Sequence, residues 1–339
     1  MARSDLTIDL GALRQNAQRL LRALGGAELW AVVKADAYGH GASDCAAAAL
    51  DAGASALCVA TVQEALALRR PFPDARLLVL GPAGAAELAA AREARLELVV
   101  SAGEIPDNVD VHIKLDTGMG RWGVSELPAP ARSIVGVMTH LATADTDETF
   151  ARVQIDRFRE ATEPFAHVTR HVANSAAALR LPQARFDAGR CGIALYGLSP
   201  FGTDPADDGL TPVLRWTSEL AASRLLRAGE STGYGRRFIA KRDTWIGIVP
   251  VGYADGFRRD LTGAEVLVAG ERRRVVGTVS MDAFAVELDR ELPPGTPVTI
   301  VGDGLLLEEH ARVAGTITYE LASRIESSPA RATRTVTGT

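Results

Sequence analysis

The chain has 339 residues, of which 47% are hydrophobic and 23% charged, and its formal net charge is −5. These values are typical of a globular protein long enough for two domains, and they exclude a disordered, collagen-like or disulfide-scaffold protein. The weak negative charge gives no reason to expect binding to nucleic acid or to a membrane surface.

Cysteine usage and the N-terminal segment indicate a compartment. Cys45, Cys58 and Cys191 are few, odd in number and not arranged as a C-x-x-C pair. This pattern fits a reducing cytoplasm and argues against a structural zinc site, so we expect no metal. The first ten residues lack a signal-peptide pattern, and no apolar run reaches the roughly 18 residues that a membrane span needs.

The first two thirds of the chain alternate between two patterns. Residues 9–24 have apolar residues at helical spacing. Eight short apolar runs follow, most of them separated by helical segments, at 29–34, 56–60, 76–80, 96–100, 111–115, 133–140, 167–172 and, more loosely, within 184–196. Strands that alternate with helices imply a parallel sheet, and eight of them favour an α/β fold with a (β/α)8 TIM-type barrel over 9–212. A doubly wound open sheet is the alternative.

The last third has a different pattern. Short β-type runs broken by glycine and proline predict a mostly antiparallel C-terminal β-domain over 213–339. Helical spacing returns at 308–325, and we expect the last dozen residues to form a loose tail.

Distinctive polar residues fall where the predicted barrel strands end. Since barrel enzymes carry their chemistry at the carboxyl ends of the strands, one mouth would collect these side chains. They belong to the first strand and to the fifth through eighth, and they are Lys34, Arg121, His140, Asn174, Ser175 and Arg190.

Lys34 follows an apolar strand, in a chain where only three of the 37 basic residues are lysine. Partial desolvation lowers the pKa of such an amine and favours Schiff-base chemistry. A lysine that merely extends its amine to solvent is the alternative. The glycine-rich segments 171–177 and 190–197 can hold a phosphate, or they can be ordinary turns. A Schiff-base lysine and phosphate sites together point to pyridoxal phosphate.

Two further patterns resemble known sites without their context. Residues 118–123 spell G-x-G-x-x-G, but serine, glutamate and prolines follow where a dinucleotide-binding helix must begin. His167 and His171 are four residues apart on a predicted strand, which is not a metal-binding arrangement. We expect His112 and His310 to be structural.

The predicted β-domain carries its own candidates on turns. Tyr234 stands between two glycines and is expected to be exposed. Tyr253, Met281 and Asp282 lie on glycine-punctuated turns, and Tyr319 lies in the late helix. For Tyr253 and Tyr319, packing of an amphipathic element is the alternative.

Seven segments together resemble one family. They are AVVKADAYGHG (31–41), KLDTGMGRWG (114–123), HVANSAA (171–177), RCGIALYG (190–197), STGYGRRF (231–238), VPVGYADG (249–256) and VGTVSMDAF (276–284). Their sequence and order are similar to those of alanine racemase, a fold type III pyridoxal-phosphate enzyme, from about residue 5 to residue 325. Trp122 departs from the family, where an aliphatic residue is more usual.

The resemblance implies a barrel, a β-domain joined by the N-terminal strand 1–8, and a head-to-tail homodimer. Each active site would combine one subunit's barrel with Tyr234, Tyr253, Met281 and Asp282 of the other. Lys34 would bind the cofactor covalently, Arg190 would contact the pyridine nitrogen and His140 would lie against the ring. The phosphate would be held by Tyr38, Ser175, Gly192, Ile193 and Tyr319. The substrate carboxylate would be bound by Arg121 and the Met281 backbone, with Arg121 oriented by Lys114, which matches an often carbamylated lysine.

The implied reaction is the interconversion of L-alanine and D-alanine, which supplies D-alanine for peptidoglycan. Racemisation needs an acid and a base on opposite faces of a planar carbanion. By resemblance, Lys34 serves the D-face and Tyr234 the L-face. A serine or broad-specificity racemase and a non-catalytic pyridoxal-phosphate carrier are the alternatives. A decarboxylase is disfavoured by Arg190, because decarboxylases benefit from a carboxylate that protonates the ring.

Overall fold

The computed structural model describes residues 3–338, which form two compact units. One unit consists of Leu13–Phe201 and Asp208–Thr211. The other consists of the chain up to Ala12, Gly202–Asp207 and the chain from Pro212 onward.

The strands, numbered in chain order, are β1 (Ser4–Asp9), β2 (Glu28–Val32), β3 (Ala56–Val59), β4 (Leu77–Val79), β5 (Glu97–Val100), β6 (Val111–Lys114), β7 (Ile134–Met138), β8 (Thr169–His171), β9 (Ala188–Cys191), β10 (Leu214–Glu219), β11 (Ala222–Leu226), β12 (Ser231–Thr232), β13 (Phe238–Ile239), β14 (Thr244–Val249), β15 (Glu265–Val268), β16 (Glu271–Val276), β17 (Phe284–Leu288), β18 (Pro297–Val301) and β19 (Ala332–Thr337).

The helical segments are α1 (Leu10–Leu24), α2 (Lys34–Tyr38), α3 (Ala42–Asp51), α4 (Val62–Arg69), α5 (Leu88–Glu93), α6 (Glu148–Ala161), α7 (Ser175–Arg180), α8 (Leu307–Ala314) and α9 (Thr318–Ser323). Short 3-10 turns include Ile193–Tyr196, Tyr234–Arg236 and Tyr253–Asp255.

The first unit is a closed parallel barrel in the order β2 to β9. It closes where Glu28–Ala31 of β2 pair with Ala188–Cys191 of β9. Its strands are short and buried on both faces, as in Ala56–Val59, because side chains fill the interior and helices cover the outside. The predicted (β/α)8 barrel is therefore confirmed, and the doubly wound open sheet is excluded.

The barrel core contains two large side chains whose polar atoms are both partnered. Trp30 is fully buried, and its indole Nε1 donates to Glu28 Oε2 at 2.6 Å. Tyr196 is also fully buried, and its hydroxyl donates to the Val32 carbonyl at 2.8 Å. Burial of these rings without loss of hydrogen bonds fixes the geometry of the strand that leads to Lys34.

The second unit contains a nine-stranded sheet in the order β11-β14-β17-β16-β15-β18-β10-β1-β19. All neighbours are antiparallel except β1 and β19, which confirms the mostly antiparallel C-terminal domain. Phe257 and Phe284 stack with ring centroids 4.3 Å apart in its core.

The expectation of a loose C-terminal tail is wrong. Residues Ala332–Thr337 form β19, which pairs in parallel register with Ser4–Asp9. The run alternates in burial, but its polar threonines and arginine give little hydrophobic signal, and its partner strand lies at the other end of the chain. Within residues 3–338, no helix is both long and apolar enough to cross a bilayer.

Candidate active site

Lys34 lies just beyond the carboxyl end of β2, which is shorter than the predicted run 29–34. The strand ends at Val32, and Lys34 begins a turn in which Ala35 to Tyr38 adopt φ angles of 51–55°. This left-handed conformation costs about 1–2 kcal/mol for each residue with a Cβ, so the turn must be held by its surroundings.

Glu64 supplies part of that restraint. Its Oε1 accepts from the Ala35 backbone N–H at 2.8 Å, and its Oε2 accepts from the Ala60 N–H at 2.7 Å. Asp36 closes the turn from the other side, where its Oδ1 accepts from the Ala42 N–H at 2.7 Å. Sequence reasoning missed Glu64, because its capping-box position after Thr61 explains its presence without reference to Lys34.

Lys34 is half-buried, and its surroundings favour the neutral form of its amine. Burial lowers the pKa of Lys34, the positive charges of Arg121 and Arg190 lower it further, and Glu64 opposes the shift. A lysine whose pKa is lowered in this way is the better nucleophile and proton acceptor.

A small polar cradle lies beside this turn. The Ser175 hydroxyl oxygen accepts from the backbone N–H groups of Gly192 at 3.1 Å and Ala194 at 3.4 Å, which leaves the hydroxyl hydrogen available to an anion. The Tyr38 hydroxyl would lie 2.4 Å from a Cβ at position 192, so only glycine fits there. Burial raises the pKa of Tyr38, which keeps its phenol a neutral donor.

These groups fit a phosphate better than a metal. The cradle offers hydroxyl and backbone N–H donors, and Ile193 begins the short helical turn that follows Gly192. Asn174 does not belong to it, because its Oδ1 caps α7 by accepting from the Ala177 N–H at 3.0 Å. No cluster of metal-ligating side chains is present among residues 3–338.

Arg190 is buried in β9 and is surrounded by hydrogen-bond acceptors. Its Nη1 donates to the His171 carbonyl at 2.8 Å, and its Nη2 donates to the Thr139 carbonyl at 2.8 Å. Burial lowers the pKa of Arg190 to about 10, so the guanidinium stays charged at neutral pH. His140 Nδ1 lies 3.4 Å from Nη2, and burial together with Arg190 lowers the pKa of His140 to about 3. His140 is therefore neutral.

Arg121, Lys114 and Trp122 form a group at the ends of β6 and the following loop. The Arg121 guanidinium lies 5.3 Å from the Trp122 ring centroid, and Lys114 Nζ lies 5.8 Å from it. Asp116 shapes the loop, because its side chain accepts from the N–H groups of Gly118, Met119 and Gly120 at 2.8–3.2 Å. The ring thus contacts two cations at once.

Gln154 of α6 was missed by sequence reasoning, yet it joins two of these loops. Its Oε1 accepts from the Ala142 N–H at 2.8 Å, and its Nε2 donates to the His140 carbonyl at 3.2 Å and the Thr117 hydroxyl at 3.3 Å. Its effect on the site is to fix the strand end that carries His140. His140 itself lies two residues beyond β7, outside the strand and not within it as the run 133–140 predicted. The pattern of apolar residues could not predict the path of this loop.

The second unit gathers its own candidates around the segment 277–282. The Tyr234 carbonyl accepts from the Thr278 hydroxyl at 2.8 Å, and Gly233 packs so closely on Thr278 that a Cβ would lie 2.9 Å from its backbone nitrogen. Tyr253 N–H donates to the Ser280 carbonyl at 3.0 Å. Tyr234 and Met281 are 70% and 51% exposed, as expected for residues carried on glycine turns.

Asp282 and Tyr319 lie in the same unit. Asp282 accepts from Arg331 Nη1 at 2.8 Å, and this hydrogen bond lowers the pKa of the Asp282 carboxyl. Tyr319 is half-buried on α9. The backbone just after this helix packs on Gly256, where a Cβ would lie 2.6 Å from the Arg324 carbonyl oxygen.

The two histidines that we expected to be structural, His112 and His310, have hydrogen-bond partners in the structure. His310 Nε2 contacts the Glu265 carbonyl at 2.9 Å, and His112 has partners at both ring nitrogens. His171 ends β8, whereas His167 lies before the strand and not on it as predicted.

A lysine with a lowered pKa beside an anion cradle, in a parallel barrel whose chain also carries an antiparallel β-domain, defines a class of two-domain barrel proteins with a candidate site at the barrel mouth. Residues 8–200 match the family model described as alanine racemase, N-terminal domain, and residues 213–333 match alanine racemase, C-terminal domain. The chain belongs to the alanine racemase family.

Individual relatives are similar to this chain over nearly all of its length. Alanine racemase 1 of Bacillus subtilis is 41% identical over 94% of this chain and 90% of its own length, and alanine racemase of Streptomyces coelicolor is 40% identical over 96% and 94%. The crystal structure of alanine racemase from D-cycloserine-producing Streptomyces lavendulae is similar with a TM-score of 0.91 and 34% identity, covering 100% of this chain and 98% of that one.

Proposed function

We propose that this chain interconverts L-alanine and D-alanine with pyridoxal phosphate as its cofactor, and that Lys34 and Tyr234 are the two proton-transferring bases. The observation that carries the proposal is the placement of Lys34, whose pKa burial and two arginines lower, at the barrel mouth near an anion cradle. The family relatives support alanine as the substrate.

The residues of the barrel fit this cofactor. Ser175 and Tyr38 would hold its phosphate through their hydroxyls and Ile193 through its backbone N–H, Gly192 would leave room for the phosphate, and Tyr319 of the β-domain would add a further hydroxyl. Lys34 would hold its aldehyde carbon, and neutral His140 would lie against its ring without adding charge. When bound, pyridoxal phosphate withdraws electrons from the substrate and so makes the α C–H acidic.

Arg190 would face the pyridine nitrogen as a donor that keeps its proton. A guanidinium with a pKa of about 10 donates a hydrogen bond but does not transfer the proton at neutral pH. The ring nitrogen would then stay unprotonated, which restrains the carbanion chemistry that leads to transamination or decarboxylation.

The substrate carboxylate would bind to Arg121 and to the Met281 backbone. Arg121 is suited to this role because its guanidinium is exposed and faces a ring that also contacts Lys114. Lys114 is a candidate for carbamylation, which would turn a second cation into an anion that orients Arg121. Tyr253 and Asp282 would border the substrate from the β-domain.

Proton transfer would occur on the two faces of the α carbon. Lys34 Nζ would take or return the proton on the D-face, and the Tyr234 hydroxyl would do so on the L-face. Because racemisation needs a proton acceptor on one face and a proton donor on the other, neither residue alone would be sufficient.

We also propose that the active enzyme is a head-to-tail homodimer in which Tyr234, Tyr253, Met281 and Asp282 complete the partner's barrel site. The high exposure of Tyr234 and Met281 within one chain supports this assignment. We propose the domain division at 9–212 and 213–339, and the family models cover 8–200 and 213–333. D-Alanine supply for peptidoglycan and a cytoplasmic location follow from the family and complete the proposal.

The test is chiral analysis of purified protein with added pyridoxal phosphate, given L-alanine or L-serine. We expect D-alanine to form faster than D-serine, and Lys34→Ala to abolish both the products and the visible absorbance of bound cofactor. Faster formation of D-serine would favour a serine or broad-specificity racemase. Cofactor absorbance that depends on Lys34, without any D-amino acid, would leave a pyridoxal-phosphate carrier.

A further inference from the structure

A continuous line of hydrogen bonds runs from Arg190 to an acidic residue of β5. Arg190 Nη1 is 2.8 Å from His171 Nδ1, His171 Nε2 is 2.8 Å from His112 Nδ1, and His112 Nε2 is 2.8 Å from Glu97 Oε2. Both imidazoles are completely buried, and the four side chains lie on β9, β8, β6 and β5. We call these four residues the imidazole relay.

The direction of every hydrogen bond in the relay is fixed by its two ends. A guanidinium only donates, so His171 Nδ1 must accept and the ring must carry its proton on Nε2. That proton is donated to His112 Nδ1, and therefore His112 also carries its proton on Nε2. The last donor meets a carboxylate oxygen, which accepts. This series of hydrogen bonds permits only one tautomer of each imidazole, and neither ring can carry a second proton.

The surroundings agree with two neutral rings. Burial lowers the pKa of His112, and burial together with Arg190 lowers the pKa of His171 well below its usual range. Burial raises the pKa of Glu97, but hydrogen bonds from His112 and Arg76 outweigh this and keep the carboxyl ionised. Arg76 Nε donates to Glu97 Oε1 at 2.7 Å, so both carboxylate oxygens are used.

Close packing holds the relay rings in place. The Trp30 ring lies 4.6 Å from His171 and 5.6 Å from His112, centroid to centroid. His112 also lies directly over Gly136, where a Cβ would be 2.0 Å from Nδ1. Rings confined in this way cannot turn over without breaking two hydrogen bonds each.

Arg190 depends on this line for its compensating charge. Among the side chains that the structure describes, no carboxylate lies within ion-pair distance of Arg190, and its other partners are carbonyl oxygens and neutral His140. A buried cation without a carboxylate is costly unless polarised hydrogen bonds connect it to one. Glu97 is the anion at the far end of that connection.

We propose that Glu97 is a positioning residue, which acts through His112 and His171 to fix the orientation and donor role of the Arg190 guanidinium. This inference rests on the proposed function, in which Arg190 faces the cofactor ring. Glu97 itself touches neither cofactor nor substrate. Its role is to set both tautomers, so that Arg190 always finds an acceptor in His171.

The tautomers are tested directly by 15N NMR of the cofactor-loaded protein labelled at its six histidines. His112→Gln and His171→Gln identify the two signals by their loss. We expect both residues to carry hydrogen on Nε2 and none on Nδ1 across neutral pH. A proton on Nδ1 of either ring, or a doubly protonated ring, would overturn the relay whether or not the protein racemises alanine.

Kinetics of Glu97→Gln tests the consequence. Its kcat should fall about tenfold or more, as for loss of one hydrogen bond to a charged group, while KM for alanine changes less than twofold because Arg121 is untouched. The control is Glu93→Gln, which makes the same chemical change at an exposed carboxylate of α5 outside the relay. It should keep kcat within twofold.

The two readouts separate the relay from the proposed function. An unchanged kcat in Glu97→Gln, or an equal loss in Glu93→Gln, would overturn the positioning role. If wild-type protein has the expected tautomers but forms no D-alanine, the proposed function fails and the geometry of the relay stands. If Glu97→Gln does not fold, the wild-type tautomers alone decide.

Discussion

The imidazole of His112 occupies the space in which residue 136 would place a side chain. The two residues are paired between β6 and β7, and a Cβ on Gly136 would lie 2.0 Å from His112 Nδ1. The His112 ring therefore fits in this position only because residue 136 on the neighbouring strand is glycine.

Gly136→Ala should destabilise the protein. His112 is held by hydrogen bonds at both ring nitrogens, so it cannot move aside without breaking them. We expect the free energy of unfolding to fall by about 1–3 kcal/mol, as for other overpacked cores, measured by urea denaturation. Gly84→Ala is the control, because its Cβ would lie 3.6 Å from the nearest atom. Equal stability of the two variants would contradict the packing argument.

Gly192→Ala should weaken binding of pyridoxal phosphate. The added methyl would lie 2.4 Å from the Tyr38 hydroxyl, and displacement of that phenol disturbs the cradle that Ser175 completes. We expect the cofactor Kd, measured by absorbance titration, to rise about tenfold or more, the effect of one lost charge-assisted hydrogen bond. An unchanged Kd would remove Gly192 from the proposed phosphate site.

Trp122→Leu should weaken substrate binding more than catalysis. The Trp122 ring contacts the cations of Arg121 and Lys114, and an exposed contact of this kind contributes about 0.5–1 kcal/mol. We expect KM for alanine to rise about two- to fivefold with little change in kcat. Trp122→Phe keeps an aromatic face and should stay close to wild type; an equal loss in both variants would argue against the cation–π contact.

Lys114 should make the free energy of unfolding vary with pH in the alkaline range. Burial, with Arg121 and Arg190, lowers the pKa of Lys114 from 10.5 to about 8 in the folded chain. Below pH 8 the lysine is protonated in both states. Between about pH 8 and 10.5 the unfolded chain holds one more proton, so the contribution of Lys114 to the free energy of unfolding rises with pH.

The measurement is the difference in free energy of unfolding between wild type and Lys114→Met across that range. Subtraction removes the contribution of other groups, Lys34 included. We expect wild type to gain stability relative to the variant as pH rises through 8. A difference that stays flat or falls would show that the amine is not desolvated in the folded chain.

The barrel was predictable because its signal is local and repeated. Each strand is a short apolar run such as Leu77–Val79, and polar residues at the strand ends identified the mouth. Lys34 and Arg190 stood out because their chemical type is unusual beside buried strands. The exposed position of Tyr234 was predictable from Gly233 and Gly235, which adopt φ angles of 77° and 71°.

The residues that sequence analysis missed act through distant partners. Glu64 and Glu97 are acidic residues whose local contexts, a helix cap and a strand start, explain them sufficiently. Only the fold shows that Glu64 holds the backbone of Ala35 and that Glu97 lies at the end of a line to Arg190. β19 was missed because its pairing with Ser4–Asp9 joins the two ends of the chain.

The two-base claim is tested most directly by Cα hydrogen exchange in heavy water with the Tyr234→Phe variant, followed separately from L-alanine and from D-alanine. The account predicts that exchange from L-alanine is lost, that exchange from D-alanine through Lys34 persists, and that no racemisation occurs. Equal exchange from both enantiomers, or continued formation of D-alanine from L-alanine, would contradict the assignment of Tyr234 to the L-face.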